Sequence, residues 1–325
     1  MYGSAMSTKL PLLLIGRLFG STTDALRERF DIEQVDDFDS KIGRQVDPTS
    51  LRAVCIGMVG SGHISHMAVD GTFIDQFPHL ELLACLGVGC EYVDHEAVQA
   101  RGVVATNTPG ANTQETADTA MGLLLSVVRQ LPQADRYLRE GHWLRGMFPL
   151  TGTLRNKTLG ILGLGNIGKA IARRAEPFGL EIIYHGRKRQ AVPYAYAPSP
   201  LELAERSDIL MIVVPGGDET FNMVNADVIR ALGSNGVLIN IARGTVVDEA
   251  ALVDALRDRV IHTAAIDAFE FEPHAPLELI AMPHLVLTPH VGSGTHYTRE
   301  LMSQAVVDNL IAWADRRPLP SPMNS

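Results

Sequence analysis

The chain has 325 residues, 46% hydrophobic and 20% charged, with 28 Lys and Arg against 37 Asp and Glu for a formal charge of −9. That length predicts about two domains, and that composition predicts a soluble globular protein. The acidic balance argues against a nucleic-acid partner, and no apolar run reaches the roughly 18 residues of a membrane helix.

At the start, MYGSAMS reads as a cloning scar with the native start at Met6, and LPLLLIG, far too short for a membrane helix, lacks the small-residue cleavage site of a secretory signal. LPLLLIG, AVCIGMV and LELLACLG read as short buried strands, with TTDALRERF and GTFIDQFP between them as helical or turn segments. Cys55, Cys85 and Cys90 form no CxxC and read as small buried apolar residues of a protein from the reducing cytoplasm. The run TQETADTAMGLLLSVVRQLPQADRYLREG predicts one long helix closed by Gly141.

A second alternating block follows. TLGILGLG, LEIIYHG, ILMIVVP, GVLINIA and IHTAAIDAF read as strands, with LVLTPHVG after them. NIGKAIARRAEPFG, PLELAERSD, NADVIRALGSN and EAALVDALRDR read as the helices between. Near-continuous Val, Ile and Leu strands joined by helices predict a parallel sheet covered on both faces. From His296 to Arg317 the chain predicts one closing amphipathic helix.

Gly163, Gly165 and Gly168 in GLGNIG fit GxGxxG, with Asn166 and Ile167 inside the turn. The motif follows a strand and opens a helix, the context in which it signals dinucleotide binding. The first glycine permits the tight turn, the second lets backbone approach the pyrophosphate, and the third packs helix on strand. An acid that binds the ribose 2′-hydroxyl is expected about 20 residues on. Counting 20 to 22 from Gly163 reaches Ile183, Tyr184 and His185, and no Asp or Glu occurs between Glu181 and Glu202. Gly186, Arg187, Lys188 and Arg189 stand there instead. Charge-assisted bonds of about 1.5–3 kcal/mol each would let these bases clamp a 2′-phosphate, so the expected cofactor is NADP(H); the plain alternative is a solvated basic loop.

Arg243 in NIARGTVVDE, Glu272 in DAFEFEP and His290 in TPHVGSG each follow a predicted strand end. Ligands of open α/β sheets bind beyond the carboxyl ends of strands. With GVG at Gly87–Gly89, NTPG at Asn107–Gly110, GLGNIG, NIARG, the D-x-F-E-x-E-P run at Asp267–Pro273 and TPH at Thr288–His290, the sequence closely resembles the D-isomer-specific 2-hydroxyacid dehydrogenases from about Leu51 to Pro322. The spacings of 29 from Arg243 to Glu272 and 18 from Glu272 to His290 match that family's pattern.

The resemblance implies an α/β protein of two Rossmann-like doubly wound domains. Residues 1–108 with 292–325 would form a flavodoxin-like substrate domain, and 109–291 an inserted NADP-binding domain. It also implies a homodimer, embraced by the long helix near 114–131. Arg243, a permanently charged fork, would grip the carboxylate and polarise the carbonyl of a 2-keto acid. His290 would be the acid in reduction and the base in oxidation, held by Glu272. Leu86, Gly87, Val88 and Gly89 would bind the substrate carboxylate through backbone N–H groups. Val214, Pro215, Thr220, Ile241, Ala242, Asp267, His290 and Gly292 would line the cofactor, Asp267 at the carboxamide.

YHGRKR resembles the NADPH-preferring glyoxylate/hydroxypyruvate reductase branch, so the expected substrates are small 2-keto acids. Specificity is expected from GMVGSGH at 57–63, the turn at Leu86 and GHWLRGMFPL at 141–150. Trp143, Met147 and Phe148 as an apolar lid would instead admit phenylpyruvate or hydroxyphenylpyruvate. The remaining alternative is a dinucleotide-sensing corepressor, against which the full Arg/Glu/His set stands. HISH at 63–66 lacks a third ligand, and no metal is expected.

Overall fold

In the strand Ile209–Ile212, Ile209 and Met211 enter one core while Leu210 and Ile212 enter another. That two-sided burial is what a central strand of a parallel sheet requires, and it explains why the strands read as unbroken apolar runs. A computed structural model describes residues 9–36, 47–59 and 68–323. MYGSAMS, the His63–His66 run and Gly60–His63 of the GMVGSGH loop lie outside the described residues.

The chain forms two compact units, Met1–Asn112 with Thr295–Ser325, and Thr113–Gly294. The first holds β1 (Leu10–Ile15), α1 (Thr22–Arg29), β2 (Phe30–Val35), β3 (Ala53–Ile56), α2 (Gly71–Ile74), β4 (Leu82–Cys85), α3 (His95–Ala100) and β5 (Val104–Thr106). Its all-parallel sheet runs β2-β1-β3-β4-β5, the flavodoxin-like order. Leu13 and Ile15 of β1 face one core and Leu12 and Leu14 the other.

The second unit holds α4 (Thr113–Arg129), α5 (Leu131–Arg139), β6 (Thr158–Leu162), α6 (Asn166–Ala175), β7 (Glu181–His185), β8 (Ala195–Tyr196), α7 (Pro200–Glu205) and β9 (Ile209–Ile212). It continues with α8 (Ala226–Ala231), β10 (Val237–Asn240), α9 (Glu249–Arg257), β11 (Thr263–Ile266), α10 (Leu277–Ile280) and β12 (Val286–Leu287). The sheet order is β12-β11-β10-β9-β6-β7-β8, all parallel. Counted within the unit this is the dinucleotide-binding order with one added edge strand, and the order reverses between β6 and β9. α11 (His296–Ala314) returns the chain to the first unit and buries Met302, Val306, Val307 and Leu310 in its core.

Three expectations need correction. The long helix is two: Gln130 takes a left-handed conformation at φ 50°, and Pro132, which has no N–H to donate, fits the first turn of the new helix α5. TTDALRERF, read as a helical or turn segment, is helical only to Arg29, because Phe30 turns extended after α1 and begins edge strand β2. The last helix stops at Ala314, three residues early. The cysteines are all buried and unbridged; burial pushes the Cys55 thiol up, and the hydrogen bond with Cys90, followed by burial, does the same at Cys85. Among the described residues no helix is long and apolar enough to cross a membrane.

Candidate active site

The glycine turn leaves β6 and opens α6 at the point where the strand order reverses. Gly163, at φ 103°, lies against the chain just beyond β9: a Cβ there would sit 2.9 Å from the Val214 nitrogen. Gly168 abuts the Gly163 carbonyl oxygen so closely that a methyl group would overlap it. Gly165 is different, because no protein atom lies within 4 Å of where its Cβ would be. Packing therefore explains the first and third glycines, while the second borders open space, as a backbone that must approach a ligand closely would. Asn166 is exposed, Ile167 half-buried, and no side chain caps the helix N-terminus, so its first-turn N–H groups are available to an anion.

Gly163 N–H donates to the His185 carbonyl at 2.9 Å, which brings the end of β7 to the turn. The loop beyond carries Gly186, Arg187, Lys188 and Arg189. The three bases are exposed and make no hydrogen bond or ion pair among the described residues. Three exposed cations beside the glycine turn concentrate positive charge on an otherwise acidic chain.

At the carboxyl end of the same sheet, His290 Nδ1 lies 2.8 Å and 3.0 Å from the two oxygens of Glu272. Glu272 also accepts the Phe269 N–H at 3.0 Å, which orients its carboxylate. A half-buried carboxylate on Nδ1 fixes the ring's orientation and selects the tautomer that carries its proton there. His290 itself is held at φ 51°, a left-handed conformation that a non-glycine residue keeps only under firm restraint. The restraint is visible: its N–H donates to the Asp267 and Thr288 carbonyls at 2.9 Å and 3.0 Å.

Asp267 is buried, and its carboxylate accepts from Thr288 Oγ1 at 2.6 Å and from the Val291 and Gly292 N–H groups at 2.8 Å each. Its bonds thus tie down the turn that carries His290, a role that composition and spacing gave no sign of. Arg243 follows β10, half-buried, with Nη1 donating to the Ala242 carbonyl at 2.9 Å. Asn240 Nδ2 bonds the Arg243 carbonyl at 3.0 Å, and its Oδ1 receives the Ala242 N–H at 3.0 Å. Gly244, next in line, packs onto the Phe269–Glu270 peptide with no space for a side chain. The Arg243 loop and the Glu272 loop therefore sit edge to edge.

Ile241 and Ala242 are buried at the end of β10, and Gly292 lies against Asp267 and Ile241. Val214 and Pro215 follow β9, and Thr220 Oγ1 donates to the Pro215 carbonyl at 2.8 Å. In the first unit, Leu86 is fully buried after β4 and Gly87 adopts φ 155°. Thr108 braces this loop by donating its N–H to the Gly87 carbonyl at 2.8 Å, and Asn107 holds the Val88 carbonyl at 3.0 Å. The Val88 and Gly89 N–H groups meet no acceptor among the described residues. Among the described residues no group of three or more His, Cys, Asp or Glu is placed to hold a metal ion.

The chain is similar to known proteins over most of its length. The family model of the NAD binding domain of D-isomer specific 2-hydroxyacid dehydrogenases matches residues 121–292. Glyoxylate/hydroxypyruvate reductase A of Arabidopsis thaliana is 42% identical over 84% of this chain and 86% of its own length. Hydroxyphenylpyruvate reductase of Plectranthus scutellarioides is 44% identical over the same shares. The crystal structure of an NADPH-dependent glyoxylate/hydroxypyruvate reductase of Sinorhizobium meliloti, solved with NADP and malonate, superposes with a TM-score of 0.89 at 42% identity, covering 97% of both chains.

Proposed function

This chain belongs to the D-isomer specific 2-hydroxyacid dehydrogenase family, and from that premise we propose that it reduces glyoxylate and hydroxypyruvate to the 2-hydroxy acids with NADPH. The observation that carries the reading is the Glu272–His290 pair at the carboxyl end of the sheet that bears the glycine turn. Bound at that turn, the nicotinamide supplies the hydride. His290, protonated and oriented through Nδ1 by Glu272, delivers a proton from Nε2 to the carbonyl oxygen. Arg243 holds the substrate carboxylate and polarises the carbonyl.

NADPH over NADH rests on Arg187, Lys188 and Arg189, because a 2′-phosphate gives three uncompensated cations a partner and a 2′-hydroxyl does not. The protein works as a homodimer in this reading. Supporting that, α5 buries none of its side chains, and Leu138, Trp143, Leu144, Met147 and Leu150 are exposed nearby. The three unbridged cysteines support a reducing compartment such as the cytoplasm.

Initial rates with glyoxylate and hydroxypyruvate, each with NADPH and NADH, test the reading. The expected result is turnover of both acids with about a tenfold or greater preference for NADPH. Equal rates with the two cofactors would reduce the basic loop to a solvated one. The exposed Trp143 and Met147 favour a second reading, in which they cover a larger apolar substrate such as hydroxyphenylpyruvate. That reading predicts higher kcat/KM for the aromatic keto acid than for glyoxylate.

A further inference from the structure

The basic loop is short, exposed and glycine-led, yet both of its ends are tied. At the near end, Tyr196 Oη donates to the Gly186 carbonyl at 3.1 Å. At the far end, the Gln190 N–H donates to Tyr184 Oη at 2.7 Å, and Tyr184 is fully buried beneath it. The Gln190 side chain then reaches back: its Nε2 donates to the Leu164 carbonyl at 2.9 Å, inside the glycine turn itself. The two tyrosines are neighbours across β7 and β8, with ring centroids 5.3 Å apart. Tyr196 also stacks on His185, whose Nδ1 meets the Ala197 carbonyl at 2.9 Å.

We propose that Gln190, Tyr184 and Tyr196 are positioning residues that set the preference for NADPH, by holding the Arg187–Arg189 loop at a fixed span from the turn that takes the pyrophosphate. The proposal rests on the reading of that loop as a 2′-phosphate site. None of the three side chains needs to touch the cofactor. A dinucleotide phosphate has two anionic ends, the pyrophosphate and the 2′-phosphate, separated by one ribose. Recognition of both at once depends on the distance between the two protein segments, and the Gln190–Leu164 bond is a side-chain link from the far end of the loop to the turn. A loop already ordered loses less freedom when three long side chains close on a phosphate. NAD(H) gains nothing from that order, since it presents no charge to the loop. The staple is therefore worth affinity only for the phosphorylated cofactor.

This separates a positioning role from a merely structural one, because damage to the fold weakens both cofactors together. The test is the dissociation constant of NADP+ and of NAD+, measured calorimetrically on the full-length protein for wild type, Tyr196→Phe, Gln190→Ala and the triple variant Arg187→Ala/Lys188→Ala/Arg189→Ala. Tyr196→Phe keeps the ring stacking and removes only the hydroxyl. For Tyr196→Phe and for Gln190→Ala, NADP+ should bind roughly threefold to tenfold more weakly while NAD+ binding stays within about twofold. The triple variant should lose about tenfold or more for NADP+ alone. If the triple variant shows its selective loss but the two staple variants weaken both cofactors alike, or neither, the staple proposal is overturned and the phosphate reading stands. If the triple variant itself binds NADP+ as wild type does, the phosphate reading falls and the staple with it.

Discussion

Gly244 packs directly onto Phe269: a methyl group built on its α-carbon would overlap the Phe269 carbonyl carbon and the neighbouring Glu270 nitrogen. One peptide thus sets the separation between the loop that carries Arg243 and the loop that carries Glu272. Gly244→Ala should lower stability by about 1–3 kcal/mol, as expected where added volume meets rigid backbone. It should also lower kcat, because the loops must part to admit the methyl. Thermal melts with parallel rate measurements check both; a variant that melts and turns over like wild type would show that the loops slide freely.

The Glu272–His290 pair makes a sharper demand. His290→Ala should reduce keto acid turnover by roughly 10²–10⁴-fold, the usual contribution of a positioned acid, with NADP+ binding retained. Glu272→Gln keeps the shape of the side chain but cannot stabilise the imidazolium, so it should lose part of that factor. Turnover near wild type in His290→Ala would remove His290 from the reaction.

Asp267 is expected to act on the same histidine from behind. Three donors converge on its buried carboxylate, and an amide in its place turns an N–H₂ toward at least one of them. Asp267→Asn should therefore cost about 1–3 kcal/mol for each donor left unsatisfied and loosen the turn that keeps His290 at positive φ. Denaturant titration measures the first effect and hydrogen exchange at Val291 and Gly292 the second. Unchanged exchange at those amides would assign the turn's order to other contacts.

Glu249 gives a pH signature. Burial raises its carboxyl above the ordinary 4.5, and the neighbouring Glu270 charge adds to that, while the bond from the Glu270 N–H works the other way. The folded protein then holds this proton more tightly than the unfolded chain. Stability from this group is present below 4.5 and declines as pH rises through the raised value. Glu249→Gln should be more stable than wild type at neutral pH, with the gain shrinking as pH falls toward 4.5 and below. Denaturant titrations of both proteins across that range measure it. A gain independent of pH would point to packing instead.

Exposed leucines on α5 and beyond test the assembly. Leu138→Glu combined with Leu144→Glu should convert a dimer to monomers in analytical ultracentrifugation, since both side chains are largely exposed in a single chain. A wild-type protein that sediments as a monomer would refute the homodimer outright.

The sequence by itself determined the apolar run of each buried strand, the glycine turn, the missing acid after β7, and the Arg243, Glu272 and His290 set at strand ends. These are legible because they are local: short unbroken apolar runs, a helix repeat of three to four, a motif of six residues. Tertiary structure decided the rest. Edge strand β2 carries too many charges to stand out, and the break at Gln130 depends on a backbone angle that no composition specifies. Gln190 could be seen next to GRKR, but its partner Leu164 lies 26 residues away, and Asp267 finds Gly292 at a distance of 25. Hydrogen bonds between loops on different strands depend on which strand ends the sheet order brings together, and that order is settled only when the strands pair.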